Sequence, residues 1–461
     1  MKPRPADPAS LRAAAAASCP DTQAGLLAPR ARVAYRDALA GTILGGRRCE
    51  LDGKAVLIGA HAQLVSALAM LELDGVASRI VVCPPDFTPE RLASAIAQAE
   101  VDAIVTDDAS KDFGADRPRY VVTPLARDSS PSASSKATEW VLPTSGTTGA
   151  PKLVAHRLDG LLGAIRRAPR DPSRVWATYY DIRRYGGLQI FLRAATSGTT
   201  LVLSQADEPL ADHIERMRAA GVTHVTGTPS HWRRLLMSPQ ASILTPAYVR
   251  LSGEIADRAI LDSLKAAYPS ARVVHAYAST EAGVGFEVVD GREGFPASLI
   301  DEAGDVDLRV FDGSLRIRSN RMARRYVGRD DLALFDDDGF VDTDDMVERR
   351  GERYYFMGRR AGVINIGGLK VHPEEVEQVI NLHARVRMSL VKARRSPIMG
   401  DLVVADVVLK ADVATEARSM LSADILAFCR ERLERHKAPV SINFVPSLDI
   451  VASGKLARRD V

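Results

Sequence analysis

From Lys54 the chain switches repeatedly between two hydrophobic periods, and this alternation restricts the fold more than any other feature. "KAVLIGA" reads as a strand, His61 to Leu73 as a helix and "SRIVVCP" as a strand. Pro89 to Glu100 then reads as a helix and "VDAIVTD" as a strand. Short runs rich in Val and Ile, set between helical patterns, make a βαβαβ unit. Strands joined through helices lie parallel, with the helices packed on the sheet. Strand and helix continue to alternate to about Asp290. There the texture changes: "DVDLRVFDGSLRIRSN" alternates polar and apolar residues about a central Asp-Gly, the pattern of a hairpin. A second shift in composition follows Gly358.

The bulk properties exclude several classes. A chain of 461 residues, 46% hydrophobic and 26% charged, is globular and long enough for two or three domains. Its net charge of +3, with arginines scattered rather than gathered, gives no footprint for nucleic acid. Cys19, Cys49, Cys83 and Cys429 are far apart and form no C-x-x-C pair, which fits reduced thiols in a cytoplasmic protein. The alanine run in "SLRAAAAASCP" follows Pro3, Pro5, Asp7 and Pro8 and reads as a short helix rather than a signal peptide. No apolar segment reaches membrane-spanning length.

One stretch carries chemistry by composition alone. "TSGTTGAPK" places Thr144, Ser145, Gly146, Thr147, Thr148, Gly149 and Lys152 within nine positions. Glu139 to Pro143 before it reads as a strand, and Leu153 to Ile165 after it as a helix, so it is expected to be a strand-to-helix loop. Glycines let backbone N–H groups approach a guest, and hydroxyls with a lysine suit a polyphosphate; a solvated polar turn is the plainer alternative. The Walker pattern does not fit, because Gly146 and Gly149 are too close and Leu153 follows Lys152. "SSPSASSK", Ser129 to Lys136, just upstream, reads as a low-complexity surface loop.

The loop resembles the signature loop of the acyl-adenylate-forming superfamily, which includes acyl- and aryl-CoA ligases, and four later segments extend the resemblance. "HAYASTEAG" is similar to that family's Y-G-x-T-E stretch, with Ala278 at the glycine. "VDTDDMVERRGERYYFMGR" is similar to T-G-D…G-R, with Asp344 at the glycine. "INIGGLKVHPEEVE" and "SGKLAR" are similar to the family's Gly-Gly segment and its terminal G-K-x-x-R. The resemblance implies an α/β fold: a large N-terminal domain with layered sheets, residues 1–358, and a small mobile α+β lid, residues 359–461. It implies activation of a carboxylic acid by ATP as the acyl-adenylate, release of pyrophosphate, and transfer to a thiol, most simply coenzyme A. A carrier-protein phosphopantetheine is the alternative acceptor, and a non-catalytic adenylate-binding protein the alternative class.

The resemblance also assigns roles. Thr144 to Lys152 would enclose the β- and γ-phosphates, and Glu281 would hold Mg²⁺, a hard cation that wants oxygen ligands. Asp345 would accept from the ribose hydroxyls with Arg359 beside it. Ser252, Gly253, Glu254, Ala276 and Tyr277 would wall the adenine, with Ser279 and Thr280 completing the nucleotide site. Asp336, Asp337, Asp338, Asp342 and Asp344 crowd nearby, and most of them read as turn and surface residues. Lys455 would bridge the carboxylate and the α-phosphate when the lid closes. Gly367, Gly368 and Lys370 would lie along the pantetheine path. Arg184, Tyr185 and Gly187 would line the acyl pocket, with Arg184 where relatives often have an aromatic or His. At the hinge, Ala361-Gly362 replaces the family's Asp or Lys. Upstream of Gly454-Lys455, Asp449-Ile450-Val451 replaces its P-x-T.

Overall fold

The computed structural model describes residues 10–18, 23–128, 136–144, 150–165, 171–205, 207–302, 304–396, 400–411 and 414–458. Ser145, Gly146, Thr147, Thr148 and Gly149, the serine-rich segment 129–135 and Cys19 lie outside these residues. Among the described residues no helix is long and apolar enough to cross a membrane. The three described cysteines are free thiols.

Two large sheets build most of the molecule. The βαβαβ unit forms as expected: Ala55–Ile58 pairs in parallel with both Arg79–Val82 and Ala103–Thr106. These strands are continuous apolar runs because helices such as Gln63–Leu73 and Pro89–Gln98 must bury against them. The second sheet carries parallel strands Val175–Thr178, Thr200–Val202, His224–Gly227, Tyr248–Ser252 and Arg272–Ser279. Helix Tyr185–Ser197 contributes Leu188, Phe191 and Leu192 to the core beneath it.

A five-stranded sheet follows, containing Asp307–Phe311, Ser314–Arg318, Val341–Arg350 and Arg353–Arg359. The Asp-Gly hairpin forms as the sequence indicates. Asp312 and Gly313 both have positive φ, 49° and 70°, and Phe311 pairs with Ser314, as a two-residue turn of the primed kind requires. Asp336 accepts from the Phe340 and Asp338 N–H groups and pairs with Arg316 at 2.5 Å. Asp338 pairs with Arg309, so Asp336 and Asp338 do turn and surface work, while Asp342, which accepts from Ser314, lines the large cavity.

One expectation fails. Leu153 to Ile165 is not a single helix: Leu153–Arg157 is a strand, and only Leu158–Leu162 is helical. The strand pairs antiparallel with Glu139–Pro143 on one side and Arg325–Val327 on the other. Two ladders of backbone hydrogen bonds outweigh the helix-like apolar spacing of the segment. The hydroxyl-rich loop therefore joins two strands of a hairpin, its base closed by the Thr144 N–H donating to the Lys152 carbonyl at 2.9 Å.

The C-terminal segment has its own core, including Ile364, Val371, Val376, Ile380, Val403 and Val407. It holds helices Pro373–Asn381 and Thr415–Arg430 and a sheet of Val386–Ser396, Gly400–Leu409 and Ser441–Phe444. Among the described residues no strand of it joins the larger sheets, so contacts outside the strand ladders set its position.

Candidate active site

The parallel strands of the second sheet end at one edge, and their following residues define the site. Tyr248–Ser252 runs into Gly253 and Glu254, Arg272–Ser279 into Thr280 and Glu281, and His224–Gly227 into Thr228. Ligands in α/β folds sit at such carboxyl ends because the backbone there is free to diverge. A cavity of about 1070 Å³ opens at this edge, over Asp345 on the five-stranded sheet and under Lys455. Thr144, Lys152, Arg184, Tyr185, Ser252, Gly253, Glu254, Ala276, Tyr277, Ser279, Thr280, Glu281, Asp345, Arg359 and Lys455 all line it.

Asp345 is held from three directions. The Tyr277 hydroxyl donates to Oδ2 at 2.5 Å, Arg359 Nε lies 3.2 Å from Oδ1, and the Asp345 N–H donates to Thr343. Tyr277 packs its ring against Phe286 and Phe356. The residue before Asp345 explains the family glycine there: Asp344 has φ 58°, a region that Asp tolerates better than most side chains. Ala278, at the other replaced glycine, needs no positive φ and sits beside a register shift.

Glu281 is a half-buried carboxylate whose pKa is pushed up by desolvation, opposed by its own backbone N–H and by Arg359, Lys152 and Lys455. Its side chain accepts no hydrogen bond from another described residue. Lys455 enters from the opposite side. Burial, and secondly Arg359, lower its pKa, while Glu254, Asp345 and Glu281 oppose the shift. Its Cε lies about 3.6 Å from where a Cβ on Gly253 would stand. Lys152, Arg359 and Lys455 thus face Glu281 and Asp345 across one cavity. Cations and carboxylates set opposite one another suit a polyanionic guest accompanied by a hard cation.

The turn bearing Lys455 closes without the family's P-x-T. The Val451 N–H donates to the Lys455 carbonyl at 2.9 Å and the Gly454 N–H to the Val451 carbonyl at 2.7 Å. Gly454 has φ 79°, and a Cβ there would fall 1.9 Å from the His231 ring, so the close approach admits only glycine.

Sequence reasoning missed what docks this turn. Glu254 was expected at the adenine wall; it lines the cavity, but its carboxylate is committed elsewhere. It accepts from the Ser230 N–H, the Ser230 hydroxyl and the Leu456 N–H, each at 2.9 Å. Thr228 donates its hydroxyl to the Gly454 carbonyl. Asn381 donates to Asp257 at 3.0 Å, a carboxylate already paired with Arg233. Thr228-Pro229 was legible only as a helix start, and Thr228 does cap Pro229–Met237. Nothing local in the sequence marks these residues as partners of a turn more than 200 positions away.

Other expected residues fall differently. Gly187 does not line the cavity; the adjacent Gly186 does. A Cβ on Gly187 would sit 2.2 Å from the Asp181 carbonyl oxygen, so this glycine allows helix and loop to touch. Arg184 lines the cavity but already has a counter-ion, Asp86, at 2.6 Å. Gly367, Gly368 and Lys370 lie on the exposed hairpin Ile364–Ile366/Leu369–Val371, away from the cavity. In this arrangement the C-terminal segment presents Lys455 inward and the Gly-Gly turn outward.

Comparison with known proteins agrees with this geometry. The family model described as AMP-binding enzyme matches residues 57–326, more than half of the chain, and that of the AMP-binding enzyme C-terminal domain matches 375–455. The chain belongs to the AMP-binding enzyme family. Among relatives, it is 25% identical to a 2-succinylbenzoate–CoA ligase of Bacillus velezensis over 88% of this chain and 82% of that protein. It is 28% identical to the Salmonella typhimurium 2-succinylbenzoate–CoA ligase over 68% of this chain and 66% of the other. The fold is shared with ATP-bound MatB from Rhodopseudomonas palustris, with a TM-score of 0.78, 19% identity and 97% of each chain covered. Within this AMP-binding enzyme, Glu281 and Lys455 come one from each matched region and line the same cavity, while Asp345 and Arg359 lie between the two regions.

Proposed function

We propose that this protein activates a carboxylic acid with ATP, releases pyrophosphate, and transfers the acyl group from AMP to the thiol of coenzyme A. One observation carries the reading: Lys455, Glu281 and the Asp345–Arg359 pair converge on one cavity although they come from three separate regions of the chain. Relatives named as CoA ligases support coenzyme A as the acceptor.

Adenylyl transfer asks a protein for alignment and charge compensation more than for covalent help. Asp345 accepts from the ribose hydroxyls, exchanging its Tyr277 or Arg359 contact for them. Thr144 and Lys152 face the terminal phosphates. Glu281 fits Mg²⁺: its half-buried carboxylate has no described hydrogen-bond donor besides its own backbone and faces the cavity. Bound there, the ion would neutralise phosphate charge. Lys455 supplies a positive charge where the acid's carboxylate meets the α-phosphate. Thioester formation then needs the Gly367-Gly368 turn, which lies outside in this arrangement, so the segment beyond about residue 359 rotates between the two steps. The exposed short helix Arg360–Gly362 marks the pivot.

The test is product analysis with purified protein, ATP, Mg²⁺, coenzyme A and a panel of aryl, fatty and dicarboxylic acids. AMP and pyrophosphate are expected in equal amounts, dependent on acid and metal. ADP and phosphate as the stoichiometric products would refute adenylation.

A further inference from the structure

A chain of buried polar groups crosses from the C-terminal segment into the large part of the molecule. Ser389 donates its hydroxyl to Asn381 Oδ1 at 3.0 Å, and the Asn381 amide donates to Asp257 Oδ2 at 3.0 Å. Arg233 reaches the same carboxylate oxygen at 2.5 Å. The other oxygen of Asp257 accepts from the Ile260 N–H at 2.9 Å and so caps helix Arg258–Ala267. Asn381, Asp257, Arg233 and Ser389 are all less than a tenth exposed. Asn381 and Ser389 belong to the C-terminal segment, Asp257 and Arg233 to the large part. The Asn381–Asp257 bond therefore breaks whenever the segment rotates away.

The same helix also grips the chain that bears the lysine. Asn381 ends helix Pro373–Asn381, and Glu377 stands one turn earlier on the same face. Glu377 is tied to its own sheet by the Val391 N–H at 2.8 Å. It also receives two guanidinium nitrogens of Arg458, at 3.0 and 2.7 Å. Arg458 follows Lys455 by one short stretch, Leu456-Ala457. The helix thus holds the large part at its last residue and the lysine-bearing chain one turn back. The Glu377–Arg458 pair lies wholly within the C-terminal segment and travels with it, whereas the Asn381–Asp257 bond exists only in the seated arrangement.

We infer that Asn381 is a positioning residue for the adenylation step: its amide, aimed by Ser389 at Asp257, seats helix Pro373–Asn381 against the large part and thereby sets Lys455 in the cavity. The inference rests on the proposed ligase activity and adds to it a residue outside the motifs that face the nucleotide. Asp257 suits the acceptor role because Arg233 and Ile260 already fix its two oxygens, so the carboxylate is in place before the segment arrives. A hydrogen bond to a charged acceptor shifts a balance between two arrangements by roughly 10- to 10²-fold. That is enough to favour one arrangement and small enough to be reversed in each turnover.

The experiment exchanges the two partners. Asn381→Asp sets a second carboxylate against Asp257. Combining it with Asp257→Asn returns one amide and one carboxylate to the seam, and Asn caps a helix about as well as Asp. Asn381→Ala removes the amide without adding charge and serves if the acidic variant folds poorly. The first readout needs no substrate: hydrogen exchange of the Leu456 N–H, which donates to Glu254 only while the segment is seated. Exchange should be about 10- to 10²-fold faster in either single variant and return to the wild-type rate in the double variant. The second readout is single turnover with the acid of the aryl, fatty and dicarboxylic panel that releases most pyrophosphate, and with its prepared acyl-adenylate. Pyrophosphate release should fall by a similar factor in the single variants and recover in the double variant, while conversion of acyl-adenylate to thioester holds steady. Unchanged Leu456 exchange in Asn381→Ala, no recovery in the folded double variant, or an equal fall in both half-reactions would overturn the inference and leave the ligase reading standing. No pyrophosphate from wild type with any acid of the panel would overturn the ligase reading instead, and Leu456 exchange would still decide the role of Asn381.

Discussion

Removal of the Glu254 carboxylate tests whether contacts at the lysine turn choose between the two half-reactions. The carboxylate accepts three hydrogen bonds, two from Ser230 within the large part of the molecule and one from the Leu456 N–H next to Lys455. Only the last depends on the C-terminal segment being seated. A hydrogen bond to a charged acceptor contributes about 1.5–3 kcal/mol. At 1.4 kcal/mol per factor of ten, its loss reduces the lysine-in arrangement roughly 10- to 150-fold relative to alternatives. Thr228 to Gly454 and Asn381 to Asp257 remain, so docking weakens rather than vanishes. Glu254→Ala should therefore lower acid-dependent pyrophosphate release by about 10- to 10²-fold. Thioester formation from a supplied acyl-adenylate should hold steady or rise, because it uses a different arrangement. The two Ser230 bonds affect overall stability, read separately as a shift in urea midpoint. The assay follows each half-reaction in single turnover with the same protein. An equal fall in both steps, in protein that melts normally, would refute the idea that Glu254 selects the lysine-in arrangement.

Two further outcomes are expected. Lys455→Ala should lose pyrophosphate release by about 10²- to 10³-fold, the usual loss for one preorganised charge, yet convert supplied acyl-adenylate to thioester; Gly368→Trp, on an open turn with φ 93°, should do the reverse by blocking the thiol path. His156 is fully buried, its Nε2–H donating to the Thr280 carbonyl at 2.8 Å, and burial pulls its pKa down to about 4. Below its ordinary pKa of about 6.5 only the unfolded state takes up the proton, so stability is lost as pH falls from about 6.5 towards 4. The loss is about 2–3 kcal/mol by pH 4.5, and His156→Gln should lack that part of the slope in urea titrations at several pH values.

The sequence by itself determined the elements whose cause is local. Strand and helix periods from Lys54 produced the parallel unit, Asp312-Gly313 produced the hairpin, and the alanine run produced helix Leu11–Ser18. The motif residues that face the nucleotide cavity were also legible, because each motif keeps its own short spacing whatever surrounds it. Tertiary structure decided the rest. Leu153–Arg157 is a strand because neighbours on both sides supply ladders that no single-segment pattern reveals. Glu254 serves the lysine turn because that turn arrives from the far end of the chain and brings an N–H with it. Arg184 was decided for the same reason: Asp86, 98 positions earlier in the chain, reaches it and neutralises it. Charge compensation is a property of three-dimensional distance, and a lone arginine in a sequence does not say whether its counter-ion is a neighbour or a substrate.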